Sequence, residues 1–171
     1  MIVLYVLIGL VALFFILPAV MPKTYAIEKS ITVNASADAC YDKVADLNHY
    51  RDWNPWSQME PDASKKIEGT PKTIGHKYSW EGKKIGVGIL TVKSLNPGKS
   101  AELDLEFIRP WKSKAVDSWA FESNGSQTKI TWKNHGPLAY PMARLMGPMI
   151  NKNLNQQFET GLNNIKKLCE K

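Results

Sequence analysis

The sequence has little of what many functional classes require. Its 171 residues include only two cysteines and three histidines, so a small scaffold stapled by several disulfides is excluded. The patterns HExxH, CxxC, GxSxG, GxGxxG and the P-loop are all missing, which leaves no recognisable catalytic, metal-binding or nucleotide-binding motif. Internal repeats and low-complexity segments are also missing. We therefore expect one globular domain without a cofactor.

Charge is missing from the first 22 residues. Residues 2–20 form an apolar run, close to the roughly 20 residues that a helix needs to cross a bilayer. We expect residues 1–22 to be a transmembrane anchor helix and residues 23–171 to be one soluble domain. A cleaved signal peptide is the alternative, but no basic residue precedes the run and no good cleavage site follows it. The run also exceeds the roughly 7–15 apolar residues that are usual in signal peptides.

The charges that flank the apolar run bear on its orientation. Only the α-amino group precedes the run, whereas Lys23 and Lys29 follow it. Cytoplasmic flanks usually carry the excess of lysine and arginine. This favours a cytoplasmic domain and leaves an external or periplasmic domain open.

The protein carries a formal charge of +6, from 22 Lys and Arg against 16 Asp and Glu. Such an excess suits anionic lipid headgroups beside an anchor, and it also suits nucleic acid. The sequence has no lysine- or arginine-rich run, recognition-helix pattern or zinc-finger spacing. We therefore expect scattered solvated lysines and no nucleic-acid binding.

Alternating apolar and polar residues predict strands in most of the soluble part. Residues 24–33 and 101–107 show this period of two most clearly, as half-buried strands do. Turn signals follow at Asn96-Pro97-Gly98 and at Asn124-Gly125. Further strands are predicted over residues 75–80, 85–94, 115–122 and 128–134.

A long helix is predicted at the C-terminal end, because apolar residues recur every three or four positions from Met142 to Leu168. Pro148 either begins this helix or kinks a longer one. A short amphipathic helix is predicted after Ser36, which suits an N-cap. The predicted fold class is α+β, with a curved antiparallel sheet wrapped around the long helix. Such a sheet can enclose a space beneath the helix.

Five segments carry a resemblance to a known family. They are residues 30–35 (SITVNA), 53–56 (WNPW), 78–82 (YSWEG), 128–132 (TKITW) and 158–165 (FETGLNNI). In this order they resemble the START-like or SRPBCC superfamily, the polyketide cyclase/dehydrase and lipid-transport proteins, over about residues 24–169. The resemblance implies a helix-grip fold that binds hydrophobic ligands in a cavity between helix and sheet. Some members catalyse ring closure or hydration, no catalytic residue is common to the family, and members with one N-terminal membrane helix share this layout.

Aromatic residues, methionines and one acid are the candidates for the cavity wall. Ligand sites are mainly apolar with a few polar groups, and methionine adapts to varied ligands. Core packing is the alternative for all the apolar residues. The candidates are Trp53, Trp56, Tyr78, Trp80, Phe107, Asp117, Trp119, Phe121, Trp132, Met142, Met146 and Met149.

The sequence is compatible with three functions. The leading hypothesis is a membrane-anchored domain that binds a lipid or another hydrophobic small molecule. The first alternative is an enzyme of the cyclase or hydratase type, for which His76 and Asp117 are the candidate polar pair. The second alternative is a tethered protein-interaction domain without a cavity. Arg109 shares the inward parity, but beside Pro110 it is expected at an exposed strand end.

The two cysteines are far apart in the sequence. The resemblance implies that the early helices support the end of the last helix, which makes a Cys40–Cys169 disulfide conceivable outside the cytosol. We expect two separate thiols instead.

Overall fold

The computed structural model describes residues 1–171, and its first helix lies apart from the core. Helix α1 (Ile2–Val20) has 19 residues without a charge, of which only Pro18 is buried. By length and composition it could cross a membrane, and a signal sequence near an N-terminus would meet the same test. The predicted apolar helix is therefore present.

Seven antiparallel strands form a single sheet in the order β1-β7-β6-β5-β4-β3-β2. The first strand pairs with the last, and every other neighbouring pair consists of strands that are consecutive in the chain. The strands are β1 (Thr24–Val33), β2 (Ser64–Glu68), β3 (Lys77–Glu81), β4 (Val87–Asn96), β5 (Ser100–Arg109), β6 (Ser113–Asn124) and β7 (Gln127–Pro137).

Short helices connect β1 to β2, and a long helix follows β7. Ser36 caps the first of the short helices by accepting a hydrogen bond from the Ala39 N–H, as predicted. The helices are α2 (Ala37–Ala45), a 3-10 turn (Leu47–His49), α3 (Tyr50–Trp53), α4 (Pro55–Met59), α5 (Met142–Leu145) and α6 (Gly147–Cys169). The predicted α+β fold, a curved antiparallel sheet with a long C-terminal helix, is confirmed.

The alternation of the strands sorts their side chains as predicted. In β1 the buried Ile27 and Val33 share one face, while Glu28 and Thr32 point to solvent. Successive side chains of a strand face opposite sides, so one face of the sheet is apolar. That face meets α2 and α6 in a core of buried residues.

Strand β2 was not predicted from the sequence. Its sequence, Ser-Lys-Lys-Ile-Glu, has one apolar residue, Ile67, and it lies at the edge of the sheet. Charged edge strands protect a sheet from pairing with other chains. Because lysines also occupy positions where a strand would carry apolar residues, the sequence does not alternate with the period of two. The predicted strand at residues 75–80 also begins later, at Lys77.

Helix α6 begins at Gly147 with Pro148 in its first turn, so the first of the two predicted roles for this proline is the observed one. A proline in the first turn removes no helical hydrogen bond. The helix buries Phe158, Leu162 and Ile165 against the sheet. Each such side chain contributes about 1.5–3 kcal/mol when it leaves water.

Both cysteines are free, yet they are neighbours. Cys40 is buried in α2, and Cys169 packs against the core at the end of α6. A hydrogen bond between the two thiols lowers the pKa of Cys40. The expected proximity of the early helices to the end of the last helix is therefore present without a disulfide.

Gly161 allows α6 to approach the sheet closely. A Cβ at this position would lie 2.9 Å from the Trp132 ring, which is closer than van der Waals contact. The Trp132 indole is itself packed between other aromatic rings, so it has little room to move.

We predict that Gly161→Ala destabilises the protein. Crowding in a packed core costs about 1–3 kcal/mol, which outweighs the gain of about 1 kcal/mol in helix propensity. Thermal unfolding of the full chain in detergent should show a fall in Tm of roughly 2–4 °C per kcal/mol lost. Asn163→Ala, at an exposed position of the same helix, is the matched control and should not lower the Tm. An equal rise in both variants would contradict the close packing.

Candidate functional site

A cavity of about 130 Å³ lies between α6, the short helices α3 and α4, and the sheet. Most of its wall is apolar, and the polar groups are concentrated on a few residues. The lining residues are Tyr25, Tyr50, Asn54, Trp56, Ser57, Tyr78, Trp80, Ile85, Leu105, Phe107, Asp117, Trp132, Asn134, Leu154 and Phe158.

The candidate residues divide into two groups in the structure. The cavity is lined by Trp56, Tyr78, Trp80, Phe107, Asp117 and Trp132. Away from its lining lie Trp53, Trp119, Phe121, Met142, Met146 and Met149. Trp53, Trp119 and Phe121 are buried in the core, whereas Met142 and Met149 are more than half exposed.

The parity of a strand does not tell how far along the sheet a side chain lies. Phe121 shares the inward face with Asp117, but it packs edge-on against Tyr41 of α2. Trp53 sits edge-on against both Trp119 and Trp132. These rings fill the interior beside the cavity, which is the core-packing alternative.

Several lining residues were not among the candidates predicted from the sequence. Leu105 and Asn134 share parity with residues that were named, so the strand pattern could have found them. Tyr50 and Asn54 lie in the irregular helical segment, where buried residues do not recur at a regular spacing. The missed residues are Tyr25, Tyr50, Asn54, Ser57, Ile85, Leu105, Asn134, Leu154 and Phe158.

Stacked aromatic rings form one side of the cavity. The Trp132 ring is parallel to that of Phe158, with centroids 3.7 Å apart and an interplanar angle of 10°. Trp119 stacks on the other side at 4.5 Å. Trp56 meets Phe158 edge-on at 6.3 Å. Helix α6 and strands β6 and β7 are thus joined by one aromatic stack.

Trp80 and Phe107 form the opposite side, with ring centroids 6.1 Å apart. The Trp80 indole lies over Gly88, where a Cβ would overlap the ring. Its Nε1 donates to the Ile85 carbonyl at 3.3 Å. Glycine at position 88 therefore leaves the space that the indole occupies.

The loop between β3 and β4 carries Ile85 to the cavity and is held by one carboxylate. Glu60 accepts hydrogen bonds from the backbone N–H groups of Lys83, Lys84 and Ile85 at 2.9, 2.8 and 3.1 Å. These hydrogen bonds lower the pKa of Glu60. The carboxylate thus fixes the part of the rim that would otherwise be a free loop.

Asp117 of β6 is the only acid in the cavity wall, and it is 5% exposed. The Trp132 Nε1 and the Asn134 Nδ2 both donate to its Oδ1, each at 2.9 Å. Burial raises the pKa of Asp117 to about 6, although these two hydrogen bonds act in the opposite direction. Oδ2 is left free of hydrogen bonds to the protein.

Two tyrosines belong to the same cluster. Burial raises the pKa of Tyr25 to about 12, and the charge of Asp117 adds to the shift. Burial and Asp117 also raise the pKa of Tyr50 well above its usual value. Both phenols therefore stay protonated and can donate hydrogen bonds.

Asn54 provides an unpaired donor. Its Oδ1 caps α4 by accepting from the Ser57 N–H at 3.1 Å, while its Nδ2 is buried without a hydrogen-bond partner. A buried donor without a partner costs about 1–3 kcal/mol.

His76 does not line the cavity, so the structure does not bring the candidate pair of His76 and Asp117 together there. Burial lowers the pKa of His76, so the ring is neutral. His76 is buried, as its parity with Tyr78 and Trp80 predicts, but it precedes β3 at the other end of the strand from Trp80. Arg109 is exposed at the end of β5, where it pairs with Glu81, as expected.

Together, a curved antiparallel sheet, a long C-terminal helix across it and a cavity between them define a helix-grip domain. Solved structures share this fold. A protein from Chromobacterium violaceum superposes with a TM-score of 0.62 at 15% identity, covering 88% of this chain and 99% of its own. The Aha1 dimer from Colwellia psychrerythraea gives 0.58 at 16% identity, covering 85% and 96%. These identities establish the fold alone.

A third similar structure is the di-domain ARO/CYC protein BexL from the BE-7585A biosynthetic pathway. It has a TM-score of 0.64 at 12% identity, and the match covers 86% of this chain and 50% of BexL. No curated protein has a matching sequence.

The sequence profile described as "Polyketide cyclase / dehydrase and lipid transport" matches residues 24–170. The chain therefore belongs to the polyketide cyclase/dehydrase and lipid transport family, and the resemblance seen in the five sequence segments is confirmed. The matched range begins at the first residue of β1, so α1 lies outside it.

We predict that Asp117→Asn changes how stability depends on pH. The folded state raises the pKa of Asp117 from its ordinary value of about 3.9 to about 6. The stability linked to the protonated acid is therefore complete below pH 4 and is lost as pH rises through 6. The amide oxygen of asparagine accepts the same two hydrogen bonds without a charge. Above pH 6 the variant should be more stable than wild type by up to about 3 kcal/mol.

Denaturant unfolding at several pH values between about 4 and 8 measures this difference. The gap between variant and wild type should close toward pH 4. Asp62→Asn removes an exposed carboxylate and is the control for net charge. A gap that stays constant across the range would show that Asp117 titrates normally.

Proposed function

We propose that this protein is a membrane-anchored helix-grip domain that binds a small hydrophobic molecule carrying a hydroxyl or carbonyl group. The observation that carries the proposal is the aromatic cavity with polar groups at one place in its wall. Binding pockets are mostly apolar, with a few polar groups that fix the orientation of the ligand. The cavity has this composition, and the family's description includes lipid transport.

The volume of the cavity limits the size of the ligand. An engineered cavity of about 150 Å³ binds benzene, and the present cavity of about 130 Å³ is similar. It accommodates one ring or a short branched chain. A whole phospholipid does not fit, so a lipid ligand would place only part of itself in this space.

The polar groups favour a particular head group. Asp117 Oδ2 can accept a hydrogen bond, because Trp132 and Asn134 both donate to Oδ1. The Tyr25 and Tyr50 phenols can either donate or accept one. A hydroxyl group fits this set because it donates and accepts through one atom. Its apolar body would then contact Trp80, as well as other rings of the wall.

Helix α1 supports the membrane part of the proposal. Its apolar side chains are exposed along its whole length, and exposed apolar surface of this extent requires a non-aqueous partner. Retention of the helix as an anchor is proposed over cleavage, because its 19 residues exceed the roughly 7–15 apolar residues that are usual in signal peptides.

A proton-transfer enzyme is the second candidate, and Asp117 is the observation that favours it. A buried carboxyl with a pKa of about 6 suits a general base near neutral pH. Chemical conversion of a bound ligand by the wild type, absent in Asp117→Asn, would select this candidate. Unchanged ligand would select binding.

We predict that the full chain in detergent binds p-cresol about tenfold more tightly than toluene. The two molecules have similar bodies, and p-cresol adds a hydroxyl that can donate to Asp117. A hydrogen bond to a charged group contributes about 1.5–3 kcal/mol, and 1.4 kcal/mol is tenfold. Quenching of tryptophan fluorescence by titrated ligand measures both affinities.

Two variants locate this binding. Leu105→Trp fills the cavity and should abolish binding of both molecules, whereas Ile108→Trp places the same bulk near the exposed end of the same strand and should preserve it. Equal affinities for p-cresol and toluene would refute the role of the polar groups. No binding of either molecule, together with native mass spectra free of adducts, would refute the cavity and favour the interaction domain.

We also predict that α1 is retained in the mature protein. Intact mass spectrometry of the membrane fraction should give the full mass of 19.2 kDa, and alkaline carbonate should not release the protein. Removal of residues 1–22 should move it to the soluble fraction. A mass that lacks the apolar run would identify a signal sequence.

A further inference from the structure

Two side chains between β7 and α6 bind the last turns of α1. The Tyr140 hydroxyl donates to the Phe15 carbonyl at 2.8 Å, and the Arg144 guanidinium donates to the Pro18 carbonyl at 3.1 Å. The guanidinium also lies 5.4 Å from the centre of the Tyr140 ring. We call Tyr140 and Arg144 the clamp. Carbonyls in the last turn of a helix lack helical partners, so the clamp satisfies a group that needs one.

The clamp fixes the depth of Tyr140 relative to α1. Phe15 lies five residues before the end of the helix at Val20, and each residue rises about 1.5 Å. The Tyr140 hydroxyl is therefore about 7–8 Å inside the end of α1. A helix of 19 residues is about 28 Å long and nearly matches a hydrocarbon core of about 30 Å. In a bilayer that α1 spans, the Tyr140 hydroxyl therefore lies just below the boundary between headgroups and acyl chains, at a depth that interfacial side chains reach. Tyrosine and tryptophan are enriched at this boundary.

Other exposed apolar side chains lie at the same end of the domain. Thr24 pairs with Pro137, and His135 pairs with Val116, so the start of β6 lies where α1 leaves. The hairpin before β6 carries Trp111, which is 73% exposed. We call this end of the sheet, with α5 and the start of α6, the α1 end.

The α1 end also carries unpaired positive charge. Lys23 lies three residues after the end of α1, and Lys112 follows Trp111 in the hairpin. Both are exposed, and neither is paired with an acid within 4.0 Å. Met142 and Met149 add exposed apolar surface beside the clamp. Tryptophan, tyrosine and lysine together match the headgroup region of an anionic bilayer.

We propose that the α1 end of the domain rests on the surface of an anionic phospholipid bilayer, with Trp111 and Tyr140 inserted at the headgroup boundary. This inference rests on the proposed anchoring by α1. It goes further, because a bare anchor would leave the domain free to tumble on residues 21–23. The clamp removes that freedom, and continuity with α1 identifies the bilayer as the occupant of this surface.

The docked orientation places one part of the cavity wall near the bilayer. Cavity residues Tyr25, Phe107 and Ile85 lie at the start of β1, near the end of β5 and in the loop after β3. Leu154 lies in the first half of α6. All four are toward the α1 end, so this part of the cavity wall lies nearest the membrane in the docked orientation.

Brominated lipids test this contact because bromine quenches only nearby indoles. The full chain is reconstituted in vesicles of equimolar phosphatidylcholine and phosphatidylglycerol, with and without bromine on the acyl chains. We expect bromine to quench the wild-type emission and Trp111→Phe to lose at least half of that quenching. Ile74→Trp adds an indole at a position 72% exposed, before β3 at the far end of the sheet, and this added emission should escape quenching.

The possible outcomes distinguish the proposed contact of the α1 end with the bilayer from the anchoring of the chain by α1. If the chain floats with the vesicles but Trp111→Phe is quenched as strongly as wild type, the anchor stands and the docked surface is refuted. If the chain does not float after alkaline carbonate treatment, both are refuted. The double variant Tyr140→Phe with Arg144→Met should float while losing part of the Trp111 quenching. Unchanged quenching would refute the role of the clamp.

Discussion

The stack of Trp132 on Phe158 is the contact on which the rest of the structure depends. It joins the last strand to the last helix with parallel rings 3.7 Å apart, and the absence of a side chain at Gly161 allows the approach. The same indole donates through Nε1 to Asp117. One residue therefore sets the distance between helix and sheet, closes one side of the cavity and holds its acid. Ring packing contributes about 0.5–1.5 kcal/mol beyond burial for each pair.

Sequence periodicity predicted the architecture, because the burial of one face of a strand or helix directly imposes the spacing of its apolar residues. Ile27 and Val33 had to share a face, and the apolar positions of α6 had to form a stripe. Pro148 lies within the predicted helical segment, where a proline can either begin a helix or kink it. The edge strand at residues 64–68 escaped prediction for the converse reason. An edge strand buries little, so its lysines carry no periodic signal.

The cavity was harder to predict, because its residues are selected by position along the sheet as well as by face. Trp119 and Asp117 are two residues apart on one strand, yet Trp119 fills the core and Asp117 borders the open space. Phe158 belongs to a segment that carries the family resemblance, but the resemblance does not assign it to the cavity wall. Tyr50 and Asn54 come from short helices whose path follows tertiary packing. No local pattern places them opposite Asp117.

The two donors that share one oxygen of Asp117 determine where a proton can reside. Oδ1 already accepts from Trp132 and Asn134, so the acid form must carry its hydrogen on Oδ2. That single atom is an acceptor in the anion and a donor in the neutral acid, while the remainder of the cluster keeps its geometry. The polarity that the cavity presents to a bound molecule thus reverses at one atom near pH 6. Below that pH the neutral acid can donate to a carbonyl oxygen, and above it the anion can accept from a hydroxyl group.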